Sequence, residues 1–207
     1  MASVRIIEFR GIRLCLNDQT YEPSDDTDIL LSLLRVGKGD KVLDMGSGSG
    51  ILGIWSLMMG GKVVFVDINP YATLSTLCSL KVNNLYNTPN YYGVLNCDLL
   101  SCLRKYDFDV AIFNPPYLPV EEYNEWIEYS WSGGNDGSKV LIDFLKTVKA
   151  NRIYTLYSSL SDEEKIVYAI NKWRFKISQK YEKVIGYERL IGLELVKEYD
   201  KGSISGA

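Results

Sequence analysis

The sequence predicts a doubly wound α/β fold whose mostly parallel sheet has seven strands and an antiparallel C-terminal edge. Two observations carry this prediction. Between residues 41 and 173, short β-branched runs alternate with longer amphipathic segments, as in parallel strands joined by crossover helices. After residue 173, two β-rich segments follow each other around Gly186 with no helix between them, as in an antiparallel pair. We expect residues 1–207 to form one domain, with 1–36 capping the core.

Local signals justify the elements in order. Ser24 is the expected N-cap of a first helix that includes 30–34, with Asp25 and Asp26 where the helix dipole favours negative charge. Pro70 opens the third helix, and the two prolines after residue 114 end the fourth strand. The predicted bounds are strands at 41–45, 62–67, 91–95, 110–113, 153–158, 175–181 and 188–198, and further helices at 51–59, 70–83, 137–149 and 161–173, the last capped by Ser161.

Composition excludes several kinds of chemistry. The chain has no histidine, so Ser-His-Asp triads, Cys-His pairs and histidine-ligated metals are impossible. Its net charge of −3 gives duplex DNA no general electrostatic attraction. The cysteines lack the Cys-x-x-Cys spacing of zinc or redox motifs, so no metal site is predicted and all four are expected to be reduced, mostly buried thiols: Cys15, Cys78, Cys97 and Cys102.

The sequence also gives an expectation about location. No apolar run approaches the roughly 20 residues that a membrane-spanning helix needs. The first residues alternate charged and apolar side chains, and they lack the basic and apolar regions of a secretory signal. We therefore expect a cytoplasmic, unprocessed protein.

A glycine-rich segment at 46–50, of sequence Gly-Ser-Gly-Ser-Gly, joins the first parallel strand to the next helix. Glycine lets the backbone turn tightly there and approach a ligand closely. With Gly53 the segment also forms a G-x-G-x-x-G pattern, which alone could be an ordinary strand-to-helix turn. Asp67 ends the next strand 17 residues after Gly50, where a carboxylate can bind the ribose hydroxyls of an adenosine-containing ligand.

Asp44 and Asp98 end two further strands. Such acids could be helix caps or turn formers, but together they favour a cofactor site at the carboxyl ends of the strands. A nicotinamide dinucleotide would place a pyrophosphate on the helix N-terminus, whereas S-adenosylmethionine has no phosphate and carries a positive sulfur. Asp44 beside the glycines suits the amino acid end of S-adenosylmethionine. The glycine loop alone leaves both cofactors open.

The fourth strand ends in Asn114, Pro115, Pro116 and Tyr117, which could be a plain proline-rich strand terminator. The Asn114 side-chain oxygen and the Pro115 carbonyl can instead each accept one hydrogen of a planar NH2 group, with Tyr117 covering the plane. Such a site selects an amide or exocyclic amine and turns its nitrogen toward an electrophilic methyl group. A carboxylate would leave these acceptors unpaired. No general base is needed, because the nitrogen becomes acidic as it gains the methyl group.

Several segments together resemble one family over nearly the whole chain. They are Y-E-P-S-D-D-T at 21–27, V-L-D-M-G-S-G-S-G at 42–50, D-I-N-P at 67–70, N-P-P-Y at 114–117 and W-S-G-G-N-D-G at 131–137. They resemble the class I S-adenosylmethionine-dependent methyltransferases, and among them the HemK-like glutamine N5-methyltransferases. The first and last segments are similar to the short eukaryotic and archaeal branch. That branch methylates the glutamine of the Gly-Gly-Gln motif in class I translation termination factors.

The resemblance implies a Rossmann-like methyltransferase domain that binds S-adenosyl-L-methionine and acts on a release factor. It assigns a catalytic role to Asn114, Pro115, Pro116 and Tyr117. It assigns cofactor contacts to Tyr21, Pro23, Thr27, Asp44, Gly46, Gly48, Gly50, Asp67, Ile68, Asp98, Leu99 and Asn114. Methylation of an exocyclic amine such as adenine N6 in RNA or DNA is the alternative activity, and a non-catalytic cofactor-binding scaffold is a third interpretation.

The resemblance also implies a partner, because the short branch works with a small activator protein that pairs with a sheet edge. The segment 91–95 is the candidate edge strand, since its Tyr91, Tyr92 and following apolar residues would favour aggregation if left exposed. These side chains could equally pack against a helix. Three aromatic residues after the Asn114 loop could be a peptide-docking surface or core residues, but we expect them to form a lid over the site: Trp126, Tyr129 and Trp131.

Overall fold

The computed structural model describes residues 4–104 and 106–199, which form a layered α/β structure. The strands are β1 (Arg5–Phe9), β2 (Ile12–Leu16), β3 (Lys41–Met45), β4 (Lys62–Asp67), β5 (Tyr91–Asn96), β6 (Phe108–Phe113), β7 (Ala150–Ser158), β8 (Phe175–Ile185) and β9 (Glu188–Lys197). The α-helices are α1 (Asp25–Leu33), α2 (Ile51–Met58), α3 (Pro70–Val82), α4 (Lys139–Thr147) and α5 (Glu163–Lys172). A 3₁₀ helix covers Trp126–Ser130.

The central sheet has seven strands in the order β5-β4-β3-β6-β7-β9-β8. Strands β3 to β7 are parallel, and β9 and β8 are antiparallel additions at one edge. The predicted fold class is therefore confirmed. Within this sheet the chain begins at β3, adds β4 and β5 on one side, and then returns to place β6 on the other side of β3. This reversal of strand order creates the crevice at the carboxyl ends of β3 and β6 where such folds bind ligands.

Hydrophobic side chains alternate between the two faces of the sheet. On β3, Val42 belongs to the cluster covered by α1 and α2, whereas Leu43 belongs to the cluster covered by α4 and α5. Both side chains are fully buried. Burying each such residue contributes about 1.5–3 kcal/mol, so the two clusters hold the strand ends rigidly in place.

A hairpin at the N-terminus, formed by β1 and β2, was not predicted from the sequence. Its signal is the inward alternation of Ile12, Leu14 and Leu16, all of which are buried. The hairpin packs on α3, where the backbone N–H of Cys15 donates a hydrogen bond of 2.9 Å to Ser79 Oγ. This contact secures the segment that leads into the functional site.

The expectation of reduced cysteines was wrong, because all four form disulfides. Cys15 on β2 is bonded to Cys78 on α3, with 5.8 Å between the Cα atoms. Cys97 is bonded to Cys102 across a short loop after β5, with 6.1 Å between the Cα atoms. The spacing rules describe neighbouring cysteines, whereas the first pair is 63 residues apart and is brought together only by packing of the hairpin on α3.

Two predicted helix starts were also wrong. The N-cap of α5 is Asp162, whose side chain accepts a hydrogen bond of 3.1 Å from the Lys165 N–H. Ser161 instead donates its hydroxyl to the Tyr117 carbonyl at 2.8 Å. Helix α4 begins at Lys139 because Gly137 has a left-handed φ of +69°, which a helix cannot include. Across residues 4–104 and 106–199, every helix is too short or too polar to span a membrane.

Candidate active site

A cavity of about 740 Å³ opens at the carboxyl ends of β3, β4 and β6. This volume lies in the range of small-molecule sites, about 300–1,000 Å³. The predicted site residues that line it are Tyr21, Pro23, Thr27, Gly46, Gly48, Asp67, Ile68, Asp98, Leu99, Asn114, Pro116 and Tyr117. Three others lie outside the lining: Asp44 is buried behind the glycine loop, Gly50 is the N-cap of α2, and Pro115 is buried beside the cavity.

The glycine loop after β3 has a backbone that only glycine adopts easily. Gly46, Gly48 and Gly50 have φ values of +61°, +55° and +86°. A Cβ atom on Gly46 would also stand 2.9 Å from a ring carbon of Phe113, the residue before Asn114. The loop is therefore shaped to bring its backbone close to the cavity and to the end of β6.

Two carboxylates already accept hydrogen bonds from this loop and from the first turn of α2. Asp67 Oδ2 accepts from Gly48 N–H, and Asp44 Oδ2 accepts from Gly53 N–H, each at 2.8 Å. A pyrophosphate in this position would meet negative charge rather than free N–H donors. The loop therefore fits a cationic ligand without phosphate better than a dinucleotide.

The same two acids have perturbed protonation. Burial raises the pKa of Asp67 to about 6, against the opposing hydrogen bonds from Gly48 and Asn69. Burial also raises the pKa of Asp44 well above its usual range, although its bond from Gly53 opposes this. Asp44 Oδ1 is buried and has no hydrogen-bond partner among the residues that the structure describes. A ligand with positive charge and hydroxyl or ammonium donors would compensate both carboxylates.

Asn114 presents an unpaired acceptor at the end of β6. Its Nδ2 donates a hydrogen bond of 3.1 Å to Asp26 Oδ2. Its Oδ1 is buried and has no donor within the described part of the chain. A buried acceptor without a partner costs about 1–3 kcal/mol of stability. A ligand N–H that donates to this oxygen would therefore bind favourably.

Asp26 is a site residue that the sequence analysis missed. Interpreted there as a helix-dipole residue, it is 2% exposed and lines the cavity. Besides Asn114, it accepts hydrogen bonds from Tyr21 Oη at 3.0 Å and Tyr117 Oη at 3.4 Å. Its position inside the 21–27 segment that carried the family resemblance was the available signal.

The two tyrosines are donors in this arrangement. Burial, together with the negative charge of Asp26, raises the pKa of Tyr21 and of Tyr117 above the usual value. Both hydroxyls therefore keep their protons at neutral pH. Neither can serve as a general base there.

The segment at 131–137 supports the loop that follows Asn114. Leu118 N–H donates to the Trp131 carbonyl at 3.0 Å, and Gly133 N–H donates to the Leu118 carbonyl at 2.9 Å. A Cβ atom on Gly137 would stand only 2.3 Å from the Tyr117 carbonyl oxygen. A Cβ atom on Gly133 would likewise stand 2.9 Å from the Pro116 carbonyl oxygen, so Gly133 and Gly137 are explained by close contact with the backbone of the 114–118 loop.

Aromatic side chains form one wall of the cavity. Trp126, Tyr129 and Trp131 all line it, and the rings of Trp126 and Tyr129 lie 5.2 Å apart. The 3₁₀ helix that carries the first two is connected to the N-terminal segment, because Ile127 N–H donates to Gln19 Oε1 at 3.1 Å. These residues can exclude water from a bound ligand.

Comparisons with known proteins agree with this geometry. Residues 22–128 match the family described as methyltransferase small domain. A Methanocaldococcus jannaschii protein, named as a protein N5-glutamine methyltransferase, is 32% identical over 90% of this chain and 96% of its own length. The Shewanella oneidensis release factor glutamine methyltransferase is 29% identical over 54% of this chain and 39% of its own.

Among solved structures, the E. cuniculi Mtq2–Trm112 complex, which methylates the eRF1 termination factor, has a similar fold. The match has a TM-score of 0.64 and 21% identity, and it covers 87% of this chain and 99% of that one. The sequence prediction of a HemK-like class I methyltransferase is confirmed by the family match and the M. jannaschii relative, and the solved structure agrees with the fold. The chain belongs to the methyltransferase small domain family.

Proposed function

We propose that this protein methylates the side-chain amide nitrogen, N5, of the glutamine in the Gly-Gly-Gln motif of a class I translation termination factor. The observation that carries the proposal is the buried Oδ1 of Asn114 at the cavity wall, for which residues 4–104 and 106–199 supply no donor. An acceptor held in this way binds an NH2 group. The names of the M. jannaschii and S. oneidensis relatives support an amide as the bearer of that group.

The residues present fit S-adenosyl-L-methionine as the cofactor. When bound, it supplies an electrophilic methyl group carried on a positively charged sulfur. Asp67 would hold its ribose hydroxyls, and Asp44 would balance the charge of its ammonium group from behind the glycine loop, without lining the cavity. The cavity wall around Asp67 would contact the remaining parts of the cofactor. The predicted cofactor residues in this wall are Tyr21, Pro23, Thr27, Gly46, Gly48, Ile68, Asp98 and Leu99.

Substrate recognition follows from hydrogen-bond complementarity. Asn114 Oδ1 accepts one hydrogen of the substrate amide, and the Pro115 carbonyl is the proposed acceptor for the second. A glutamate side chain offers no such hydrogen and would leave the buried acceptor unpaired, at a cost of about 1–3 kcal/mol. Because Tyr21 and Tyr117 stay protonated, the proton released after methylation passes to water.

Charge around the cavity disfavours the alternative of RNA or DNA amine methylation. The described residues that line the cavity include one basic side chain, Lys139, and four acidic ones: Asp26, Asp67, Asp98 and Glu121. The segment 121–128 adds further glutamates and contains no lysine or arginine. A groove that followed several phosphates would need the opposite balance.

We also propose a small activator protein as a partner that pairs with β5. This strand lies at the edge of the sheet, as the sequence predicted. A β-bulge interrupts its pairing with β4 at Tyr92, whose side chain is 63% exposed. The regular part from residue 93 to 96 would then offer its free edge to a partner strand.

Mass spectrometry tests the activity directly. A recombinant termination factor is incubated with the protein, the candidate partner and isotope-labelled cofactor, and we expect one methyl group on the glutamine. Asn114→Ala removes a substrate acceptor, so transfer should be lost while cofactor affinity by calorimetry stays within about threefold. Asn151→Ala, an exposed asparagine outside the cavity, is the matched control and should keep full activity. Label on an RNA or DNA oligonucleotide instead would support the alternative, and equal activity of Asn114→Ala would refute the assignment.

A further inference from the structure

We propose that Asp26 is a positioning residue that sets which end of the Asn114 amide meets the substrate, and thereby selects an amide over a carboxylic acid. The inference rests on the proposed function, because it concerns the same site. It begins from the two oxygens of Asp26, which accept hydrogen bonds from different parts of the molecule.

One carboxylate oxygen of Asp26 accepts hydrogen bonds from the start of its own helix. Oδ1 accepts from Thr27 N–H at 2.6 Å, from Thr27 Oγ1 at 3.2 Å and from Ser24 Oγ at 3.2 Å. All three donors lie in the first turn of α1 or at its N-cap. These bonds fix the carboxylate plane relative to the helix.

The other carboxylate oxygen accepts hydrogen bonds from residues that line the cavity. Oδ2 accepts from Tyr21 Oη at 3.0 Å, from Asn114 Nδ2 at 3.1 Å and from Tyr117 Oη at 3.4 Å. The groups converge from the N-terminal segment and from the loop after β6. These donors satisfy an oxygen that has little access to water, because Asp26 is 2% exposed.

The charge of Asp26 decides the orientation of its neighbour. An asparagine amide has a donor end and an acceptor end of nearly the same shape. An ionised carboxylate only accepts, so the donor end, Nδ2, must face it. Turning the amide over would place Oδ1 against a carboxylate oxygen. Oδ1 therefore faces the other way, and this buried atom has no hydrogen-bond partner in the described part of the chain.

Specificity follows from this orientation. With Oδ1 presented, the site accepts a hydrogen from a side-chain amide and repels a carboxylate. If residue 26 were an asparagine, either end of the Asn114 amide could face it. The Asn114 NH2 group could then be presented to the substrate, and it would bind a carboxylate oxygen instead.

The test compares Asp26→Asn with Asp28→Asn. Asp28 lies on the same helix, and its carboxylate pairs with Arg10 at 2.6 Å outside the cavity. Asp26→Asn should lower kcat on a Gly-Gly-Gln peptide by about 10- to 100-fold, from the loss of a charged hydrogen bond. Cofactor affinity by calorimetry should change less than threefold. Asp28→Asn should leave both unchanged.

Two readouts separate positioning from a merely structural role. The first is the ratio of two affinities, that for a Gly-Gly-Gln peptide from binding and that for a Gly-Gly-Glu peptide from inhibition. Asp26→Asn should reduce this preference for the glutamine peptide at least tenfold. The second is a double-mutant cycle on the binding of the Gly-Gly-Gln peptide, in which Asp26→Asn has no further effect on affinity once Asn114 is alanine. Unchanged discrimination in Asp26→Asn, or effects that multiply in the double variant, would overturn the proposal.

A measurement without substrate keeps the inference independent of the proposed activity. In protein labelled with [15N]asparagine, the side-chain NH2 signal of Asn114 is assigned by its loss in Asn114→Ala. Its hydrogen exchange should be at least tenfold slower than that of the exposed Asn151 amide. If the wild-type protein methylates no termination factor, the proposed function fails. The exchange rate of the Asn114 amide still tests whether Asp26 orients that amide. Unprotected Asn114 hydrogens would refute the orientation, even if Asp26→Asn does not fold.

Discussion

At the residue scale, the protonation of Asp67 is the feature of this site that solution conditions can change. Its carboxylate is 7% exposed and accepts hydrogen bonds from Gly48 and Asn69. Burial raises its pKa to about 6, and the two bonds do not fully offset that effect. The residue therefore titrates close to neutral pH, far above an ordinary aspartate.

This pKa predicts how cofactor binding depends on pH. Ribose hydroxyls donate to the ionised carboxylate, so binding requires the form that exists above the pKa of about 6. Affinity should fall about tenfold between pH 7 and pH 5, as protonation of free Asp67 competes with binding. Asp67→Asn should bind weakly at both pH values and lose most of this slope. Calorimetric titration at several pH values checks the prediction, and an equal slope in Asp67→Asn would contradict it.

At the element scale, the glycine segment at 131–137 holds the loop that carries Asn114. Gly137 combines a φ of +69° with a position against the Tyr117 carbonyl. Ser161 donates to that same carbonyl from the turn before α5. The loop position is thus set by two segments that are distant in sequence.

A matched pair of glycines isolates this contact. Gly137→Ala and Gly186→Ala both place alanine at a left-handed φ, but a Cβ atom on Gly186 meets nothing within 4 Å. Each should lose about 1–2 kcal/mol of stability from the backbone. Only Gly137→Ala should also displace the loop, and a shift near 1 Å lowers activity about 100-fold. Urea unfolding and methyl-transfer assays measure the two effects, and equal activity of the two variants would disprove the loop role.

The disulfides are a second feature at this scale. Cys15–Cys78 closes a loop of 63 residues and Cys97–Cys102 a loop of 5. Chain-entropy estimates give about 4 kcal/mol for the long loop and about 2 kcal/mol for the short one. Replacing the first pair by alanine should therefore cost more unfolding free energy than replacing the second. Urea unfolding measures this, and alkylation without reductant should label no cysteine; labelled thiols or a reversed order would contradict the prediction.

At the scale of the whole molecule, the sheet has two different edges. Strand β5 carries the bulge at Tyr92 on one edge, whereas β8 forms the other edge with mostly exposed side chains. The cavity lies toward β5, because β4 ends at Asp67 beside it. A partner on β5 would therefore sit near the cofactor site, and a partner on β8 would not.

A charge placed on each edge tests the partner proposal. Tyr92→Lys puts a lysine on the β5 edge, and charged side chains oppose strand pairing. Tyr181→Lys makes the same change on β8, where the tyrosine is 49% exposed. After co-expression with the candidate activator, light scattering should show a heterodimer for Tyr181→Lys and free chains for Tyr92→Lys. Loss of the heterodimer in Tyr181→Lys alone would point to the other edge.

Much of this architecture could be predicted, because its signals are local. The strand from Lys62 to Asp67 was predicted with its observed bounds, since β-branched periodicity acts within a few residues. The glycine loop and the Asn-Pro-Pro-Tyr turn were found from their unusual backbone requirements. The error of one residue at the α5 cap arose because Ser161 and Asp162 are both good caps, and the Tyr117 carbonyl takes the Ser161 hydroxyl.

The sequence by itself determined the fold class, the order of the α-helices and sheet strands from α1 onward and the family, because periodicity, turn residues and motifs are written along the chain. Only the tertiary structure decided the Cys15–Cys78 bond and the place of Asp26 beside Asn114, which is 88 residues away in sequence. Hydrogen bonds and disulfides need atoms within a few ångströms. That proximity is created by packing helices on a sheet, and no local pattern encodes it.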